Sequence, residues 1–320
     1  MGQTIEFQAS SSSLAREETN DLPLRGVGDT VANKAFPEAV FFLASGMFEA
    51  HKTSPRTAAL FATQQRWLLS HAALAHFFQP IGDIEPGISR RSLGFLGPIL
   101  GLSSRNTAYA FFDEALKYGV IEPVDGRAIG HGRLLARPSA DSLSLLVLWY
   151  DLHFQALDLL DGGQRHTQFS TRWEGLLPLI QPIVANGLFF SHDVRAPGPL
   201  FTIFTWADSG GWVMDRLIAS VDWQALSQQD RYLTDVTSIG YLARSTGLSN
   251  AHTSRKISEA QSIGGLGWIG RPGHSPLWIS RSFYEEYSRF QARKLVILDG
   301  ALTKALTGDV PASQQTDDCA

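Results

Sequence analysis

Apolar residues recur at three- and four-residue steps along most of the chain, which is the spacing of one face of a helix. The clearest case lies within 101–119, where a helical apolar face is followed by a glycine that acts as a stop signal. That face consists of Ala108, Phe111, Phe112, Ala115 and Leu116. Short apolar runs separated by a glycine-containing turn come next, so the pattern predicts a helix and then a β-hairpin.

The plan of 101–133 occurs a second time at 247–274. Five residues of the first copy, Gly101, Leu102, Ser103, Thr107 and Gly119, align without a gap with Gly247, Leu248, Ser249, Thr253 and Gly265. An earlier helix is marked upstream of the first copy by Leu93, Leu96 and Leu100, and upstream of the second by Ile239, Leu242 and Thr246. Each copy therefore predicts a helix, a tight glycine turn, a second helix and a hairpin.

The same periodicity predicts further helices outside the two copies. They cover 37–50, 57–79, 143–160, 174–190, 199–221 and 282–306. Pro98 lies within the helix that precedes the first turn, so that helix should be kinked or shortened.

These elements divide the chain into five segments. We assign 21–162 to N-terminal helices plus unit one, 163–222 to a helical bridge, and 223–306 to unit two plus a C-terminal helix. The ends, 1–20 and 307–320, are expected to be disordered because their composition is mainly polar.

The order helix, turn, helix, hairpin resembles that of the MarR-like winged-helix transcriptional regulators, over residues 60–140 and 225–290. The resemblance implies a mainly α fold with small β-hairpin wings, in which two winged helix-turn-helix units are joined by a helical middle. It also implies that the second helix of each unit enters the major groove of double-stranded DNA. With both units in one chain, we expect a transcriptional regulator that acts as an intramolecular pseudo-dimer. The alternative is a protein-interaction scaffold that keeps the fold without binding DNA.

Charge distinguishes the two copies from the rest of the chain. The protein has 320 residues and a net charge of −4. The segment 89–137 nevertheless carries seven basic and four acidic residues, and 238–281 carries five basic residues and one acidic residue. Two basic segments in an acidic chain favour local contact with phosphates over a basic surface everywhere.

The candidate DNA contacts lie at the starts of the second helices and on the wings. If Ser104 and Asn250 are the N-caps, the first turns expose side chains that can bind base edges. Wing arginines commonly contact phosphate or enter a minor groove. The candidates are Arg105, Asn106, Thr107, Tyr109, Arg127 and Arg133 in unit one, and His252, Thr253, Arg255, Lys256, Arg271 and His274 in unit two.

Patterns typical of enzymes and metal sites do not occur in the sequence. Cys319 is the only cysteine, the glycine-rich segment 126–132 lacks the Lys-Ser/Thr of a phosphate loop, and no histidines have zinc-ligand spacing. We therefore expect no enzymatic activity, no catalytic residue, no metal and no cofactor. The longest apolar candidate, 143–160, contains charged residues, and the N-terminus does not resemble a secretory signal, so we expect a cytoplasmic protein that does not contact a membrane.

The aromatic residues of the middle segment leave three alternatives open. They could pack as core, which is the favoured interpretation, line a pocket for a small apolar effector, or form the interface of a homodimer. These residues are Trp149, Tyr150, Phe154, Phe201, Phe204, Trp206 and Trp212.

Overall fold

The computed structural model describes residues 26–53, 60–61, 63–80, 87–124, 134–206, 210–224 and 230–308. Within them, the helices up to the middle of the chain are α1 Val27–Ala32, α2 Phe36–Thr53, α3 Gln64–Phe78, α4 Arg90–Ile99, α5 Arg105–Lys117, α6 Ala140–Asp161 and α7 Arg165–Ser170. The remaining helices are α8 Trp173–Phe190, α9 His192–Arg195, α10 Pro199–Thr205, α11 Gly211–Ile218, α12 Ile239–Thr246, α13 Asn250–Ser262 and α14 Arg281–Thr307. Of the predicted disordered ends, 1–20 and 309–320 lie outside the described residues, whereas Thr307 still belongs to α14 and Gly308 is its C-cap.

Two small antiparallel sheets accompany the helices. The first contains β1 Ile88–Ser89, β2 Ile121–Pro123 and β3 Leu135–Pro138 in the order β1-β3-β2. The second contains β4 Arg231–Leu233, β5 Leu266–Trp268 and β6 Leu277–Ser280 in the order β4-β6-β5. The prediction of a mainly helical protein with small β-hairpins is confirmed. The sequence pattern missed β1 and β4, because neither belongs to a hairpin: each pairs with a strand that is distant in the sequence.

The order of elements is the same in 27–161 and in 165–307. The first half runs α1, α2, α3, β1, α4, α5, β2, β3, α6. The second half runs α7, α8, α11, β4, α12, α13, β5, β6, α14, with α9 and α10 inserted before α11. The predicted bridge, 163–222, contains the helices α7 to α11 that open this second half.

The two halves are interlocked by reciprocal packing. Helix α2 packs against α6 of its own half and against α11 of the other half, while α8 packs against α14 of its own half and against α3 of the other. The short helices α1 and α7 also pack on the opposite half: α1 contacts α14, and α7 contacts α6. Helices α6 and α14 contact each other directly. The largest apolar cluster accordingly contains residues from both halves.

Helices α6 and α14 begin at equivalent places, immediately after the last strand of each sheet. Ser139 and Ser280 are their N-caps, and each hydroxyl accepts a hydrogen bond from the backbone N–H three residues on. His153 and Lys294 each lie fourteen residues after these caps, and the Lys294 Nζ is 3.0 Å from the His153 Nε2. Equivalent positions of the two halves thus meet in a buried polar contact.

Among the described residues, α6 is the one helix long and apolar enough to cross a membrane by length and composition. It packs against α2, α7 and α14 and buries residues that include Tyr150, Phe154 and Leu157. Packing within the protein therefore accounts in part for its apolar character.

Helix boundaries differ from prediction where local caps or breaks intervene. The helix predicted over 57–79 begins at Gln64, because the Thr63 hydroxyl caps it by accepting a bond from the Arg66 backbone N–H. The pattern over 199–221 belongs to two helices, α10 and α11, and so its interpretation as one helix was wrong. Pro98 lies in the last turn of α4, which ends at Ile99. The proline therefore coincides with the end of a short helix.

Candidate functional site

The turn between α4 and α5 is held by backbone hydrogen bonds and by one distant arginine. Gly101 has φ of +61°, a conformation that favours glycine, and the backbone N–H groups of Leu102 and Ser103 both donate to the Gly97 carbonyl. Arg195 of α9 donates to the carbonyls of Leu100 and Gly101, at 3.0 and 2.8 Å. An arginine from the second half thus fixes the turn of the first.

The equivalent turn between α12 and α13 differs at the start of its second helix. Gly247 again has positive φ, but the N-cap is Ser249, whose hydroxyl accepts from the His252 backbone N–H at 3.2 Å. The prediction that Asn250 is the cap was therefore wrong. In the first unit the predicted cap, Ser104, is confirmed.

Because of this difference, α13 begins one residue earlier than the gapless alignment with α5 predicts. Helices α5 and α13 both contain thirteen residues, and the positive-φ glycines that follow them are Gly119 and Gly264. Gly264, and not the aligned Gly265, is the structural equivalent of Gly119. Since a helix turns by about 100° per residue, a shift of one position changes which side chains are buried.

Lys256 and Thr253 were predicted to contact DNA, and the structure places both inside the protein. Lys256 is only 4% exposed and its Nζ donates to the Ile203 carbonyl at 2.9 Å. With the shift, it takes the place that Phe111 has in α5. Thr253 is fully buried, and its hydroxyl donates to the Ser249 carbonyl. The prediction failed for both residues because the cap lies one residue earlier than expected.

Lys256→Ala should destabilise the fold by about 2 kcal/mol, because the Ile203 carbonyl loses its donor and the aliphatic stem of Lys256 loses its buried contacts. Arg255→Ala, an exposed position on the same turn, should cost less than about 1 kcal/mol. Urea unfolding of both variants measures the contrast. Equal stability of the two would mean that Lys256 is not a packed residue.

The remaining candidates of unit one lie on or near the surface where they are described. Arg105 and Asn106 are exposed at the start of α5, and Thr107 is half-buried. Tyr109 is also half-buried: its ring packs over Gly94, and the Arg90 guanidinium lies 4.7 Å from its centre. Arg127 and Arg133 lie outside the described residues.

The remaining candidates of unit two are accessible as well. His252 is half-buried and Arg255 is exposed on α13. Arg271 and His274 are exposed in the loop between β5 and β6. That loop folds back on its own unit, because the Gly273 backbone N–H donates to the Thr237 carbonyl at 2.9 Å.

Several basic residues counted in the first segment are paired with acids. Ion pairs join Arg90 to Asp113 and Arg137 to Glu122, at 3.0 and 2.8 Å. Among the described residues, Arg105 has no comparable acidic partner. Arg105 is therefore an exposed cation at the start of α5, where the pattern predicts contact with base edges.

The aromatic residues of the middle segment divide between core and cavity. Tyr150, Phe154 and Phe204 are fully buried in the main apolar cluster, as the core interpretation predicts. Trp206 is 78% exposed. Trp149 and Trp212 instead line a cavity of about 200 Å³, whose other walls come from α2 to α6 and from the first sheet.

A second cavity of about 120 Å³ adjoins the first and shares Trp67, Trp149 and Trp212 with it. It is lined by two buried groups of opposite charge, Lys294 and Asp215. Burial lowers the pKa of Lys294 to about 8, and burial raises the pKa of Asp215 to about 6. The Tyr287 hydroxyl donates to the Asp215 carboxylate at 2.5 Å. The sequence held no local signal for this cluster, whose members come from distant helices.

No protein-family model, curated protein or solved structure matches this chain. Within the described residues, no group of three or more His, Cys, Asp or Glu side chains is placed to hold a metal ion. The features that bear on function are the two helix pairs joined by glycine turns, α4–α5 and α12–α13, and the adjoining cavities.

Proposed function

We propose that this protein binds double-stranded DNA through two winged helix-turn-helix units and regulates transcription. The observation that carries the proposal is the start of α5, where Arg105 and Asn106 are exposed while Ala108, Phe111 and Phe112 anchor the opposite face. A helix held in this way can enter a major groove with its first turn leading. Arg pairs with guanine and Asn with adenine at the base edges, so both exposed residues suit that role.

The element order supports the same proposal. Each unit consists of a helix, a strand, two helices joined by a turn, and two further strands, which is the order of a winged helix. The reciprocal packing of the halves is what a dimer of such units would show, here within one chain. The base-contacting residues differ between α5 and α13, and therefore the protein would bind two unlike half-sites rather than a palindrome.

The double variant Arg105→Ala/Asn106→Ala should lose about 1–3 kcal/mol of binding free energy on a selected duplex, which is roughly a five- to 150-fold weaker Kd. Fluorescence anisotropy with labelled duplexes, after in vitro selection, measures the loss. The parent protein should also bind more weakly as salt rises, because phosphate contacts release counterions.

Lys117→Ala is the matched control, since Lys117 is exposed at the other end of the same helix. It should leave sequence preference unchanged, and both variants should keep the parent's thermal unfolding because the positions are exposed. No binding of the parent protein to any duplex at low salt would overturn the proposal. The interaction-scaffold alternative would then be favoured.

A further inference from the structure

The 200 Å³ cavity is large enough for an aromatic molecule of more than one ring. A cavity of about 150 Å³ with apolar walls is known to bind benzene. Here the walls are mostly apolar and aromatic, and they include Leu93, Phe111, Ile121 and Trp149. Leu148 lines the cavity and is itself 37% exposed, so one wall of the cavity lies at the protein surface. A planar apolar ligand would therefore fit both its size and its lining.

Two buried polar atoms, each on a residue that lines the cavity, lack hydrogen-bond partners among the described residues. They are the Nδ1 of His51, a residue only 6% exposed, and the Nε1 of Trp212. His51 Nε2 lies 3.2 Å from the Thr246 carbonyl, which can only accept, so Nε2 carries the proton and Nδ1 is left as an acceptor. Burial lowers the pKa of His51, which keeps the ring neutral. Trp212 Nε1–H is a donor, and the two rings stack with centres 4.3 Å apart.

A single hydroxyl group can pair with both atoms, because it can donate a hydrogen bond to His51 Nδ1 and accept one from Trp212 Nε1–H. Leaving a buried donor or acceptor unpaired costs about 1–3 kcal/mol, which a ligand would recover after a small rotation of either ring. We propose that this cavity binds a planar aromatic alcohol of about two fused rings, with its hydroxyl between His51 and Trp212.

The same walls connect the cavity to both helix-turn-helix units. On one side, Phe111 and Ala115 are the buried face of α5. On the other side, His51 contacts the Thr246 carbonyl at the end of α12, directly before the turn to α13. A ligand that moves either wall therefore changes the position of a proposed DNA-contacting helix. This coupling rests on the proposed DNA binding, whereas the ligand site does not.

Isothermal titration calorimetry with 2-naphthol and naphthalene tests the site on the full-length protein. We expect one 2-naphthol per chain, bound about tenfold more tightly than naphthalene because of the hydroxyl. Trp212→Phe keeps the aromatic ring and removes the donor, so the preference should fall to about threefold or less. Trp206→Phe, which changes an exposed tryptophan outside the cavity, should keep the parent's preference.

A second variant fills the cavity. Ala73 lines it from α3, and Ala73→Leu should weaken both probes at least tenfold, provided that the variant unfolds as cooperatively as the parent. Absence of binding by either probe, or equal affinity for both, would overturn the proposal. Unchanged binding to Ala73→Leu would also overturn it, because the probe would then occupy another place.

DNA titrations with and without 2-naphthol separate the ligand site from the proposed function. We expect 2-naphthol to change the DNA affinity by about fivefold or more, in the usual range of coupling between sites. Binding of 2-naphthol without that change would refute the coupling and leave the site standing. A parent protein that binds 2-naphthol but no duplex would instead refute the DNA-binding proposal alone.

Discussion

Arg165→Met should lower the free energy of unfolding by about 2–4 kcal/mol, because the side chain forms ion pairs with three carboxylates at the contact between the halves. Its guanidinium donates to Asp299 at 2.6 Å and to both oxygens of Asp161 at 2.8 and 2.9 Å, and it lies 3.4 Å from Asp158. Removing one partner of a buried ion pair costs about 3–5 kcal/mol, and the 19% exposure of Arg165 reduces that figure.

Because Arg165 joins the two halves of the chain, the loss of stability would measure how strongly this ion cluster holds them together. Arg165 begins α7 of the second half, Asp158 and Asp161 end α6 of the first, and Asp299 lies on α14. Urea unfolding at neutral pH measures the loss. Arg137→Met is the matched control, since its single pair with Glu122 is half-exposed and worth at most about 1 kcal/mol. If the two variants are equally stable, the ion cluster does not hold the halves together.

The second large effect is a rise in stability between pH 8 and pH 10.5, caused by Lys294. The folded-state pKa of this lysine is about 8 because burial disfavours its charged form, whereas its ordinary value is 10.5. Between these values the unfolded chain binds more protons at Lys294 than the folded protein does, so stability increases with pH. At about 1.36 kcal/mol for each unit of pKa difference, the full rise is roughly 3 kcal/mol.

Other groups titrate in the same range, and therefore the measurement compares variants. Urea unfolding at several pH values from 7 to 10.5 should show the rise in the parent and in Lys117→Met, an exposed lysine. It should be absent from Lys294→Met. The charged and titratable groups that face Lys294 include His153, which it contacts, and Asp215, whose pKa is raised to about 6 and which is ionised throughout this range. Parallel curves for the parent and Lys294→Met would contradict the assignment.

Asp215 should make stability fall, rather than rise, with increasing pH in the acid range. Its folded-state pKa, about 6, is above its ordinary value of 3.8, so the folded protein binds more protons than the unfolded chain between these values. Its contribution to stability is therefore lost as pH rises from about 4 to 6. Asp215 and Lys294 thus affect stability in separate pH ranges, so the two effects can be measured independently in an unfolding series that covers both ranges.

The sequence by itself determined the local plan of the molecule. The long helices α6, α8 and α14 were predicted to within three residues at each end, because their apolar periodicity extends over four turns or more. The glycine turns were predicted at Gly101 and Gly247, and both have positive φ. Turns and long amphipathic helices depend on residues close together in the chain, which is why a single sequence was sufficient for them.

The candidate site was predictable only in part. Arg105, Asn106, Arg255, Arg271 and His274 were expected at the surface and are exposed. Lys256 was expected beside them and is buried, because Ser249 rather than Asn250 is the N-cap of the helix. Two adjacent residues that can both cap a helix leave its rotation ambiguous by one position. With Ser249 as the cap, Lys256 faces the interior and donates to the Ile203 carbonyl. That contact joins two distant segments, so no local sequence pattern predicts it.

Only the tertiary structure decided how the halves combine. The packing of α2 and α8 against helices of the opposite half, the contact of His153 with Lys294 and the stacking of His51 on Trp212 all join residues distant in the sequence. Apolar patterns in these helices predict that each buries a face, but many partners could cover it equally well. The choice among them depends on the shape of the whole packed core, which is a property of all the helices together.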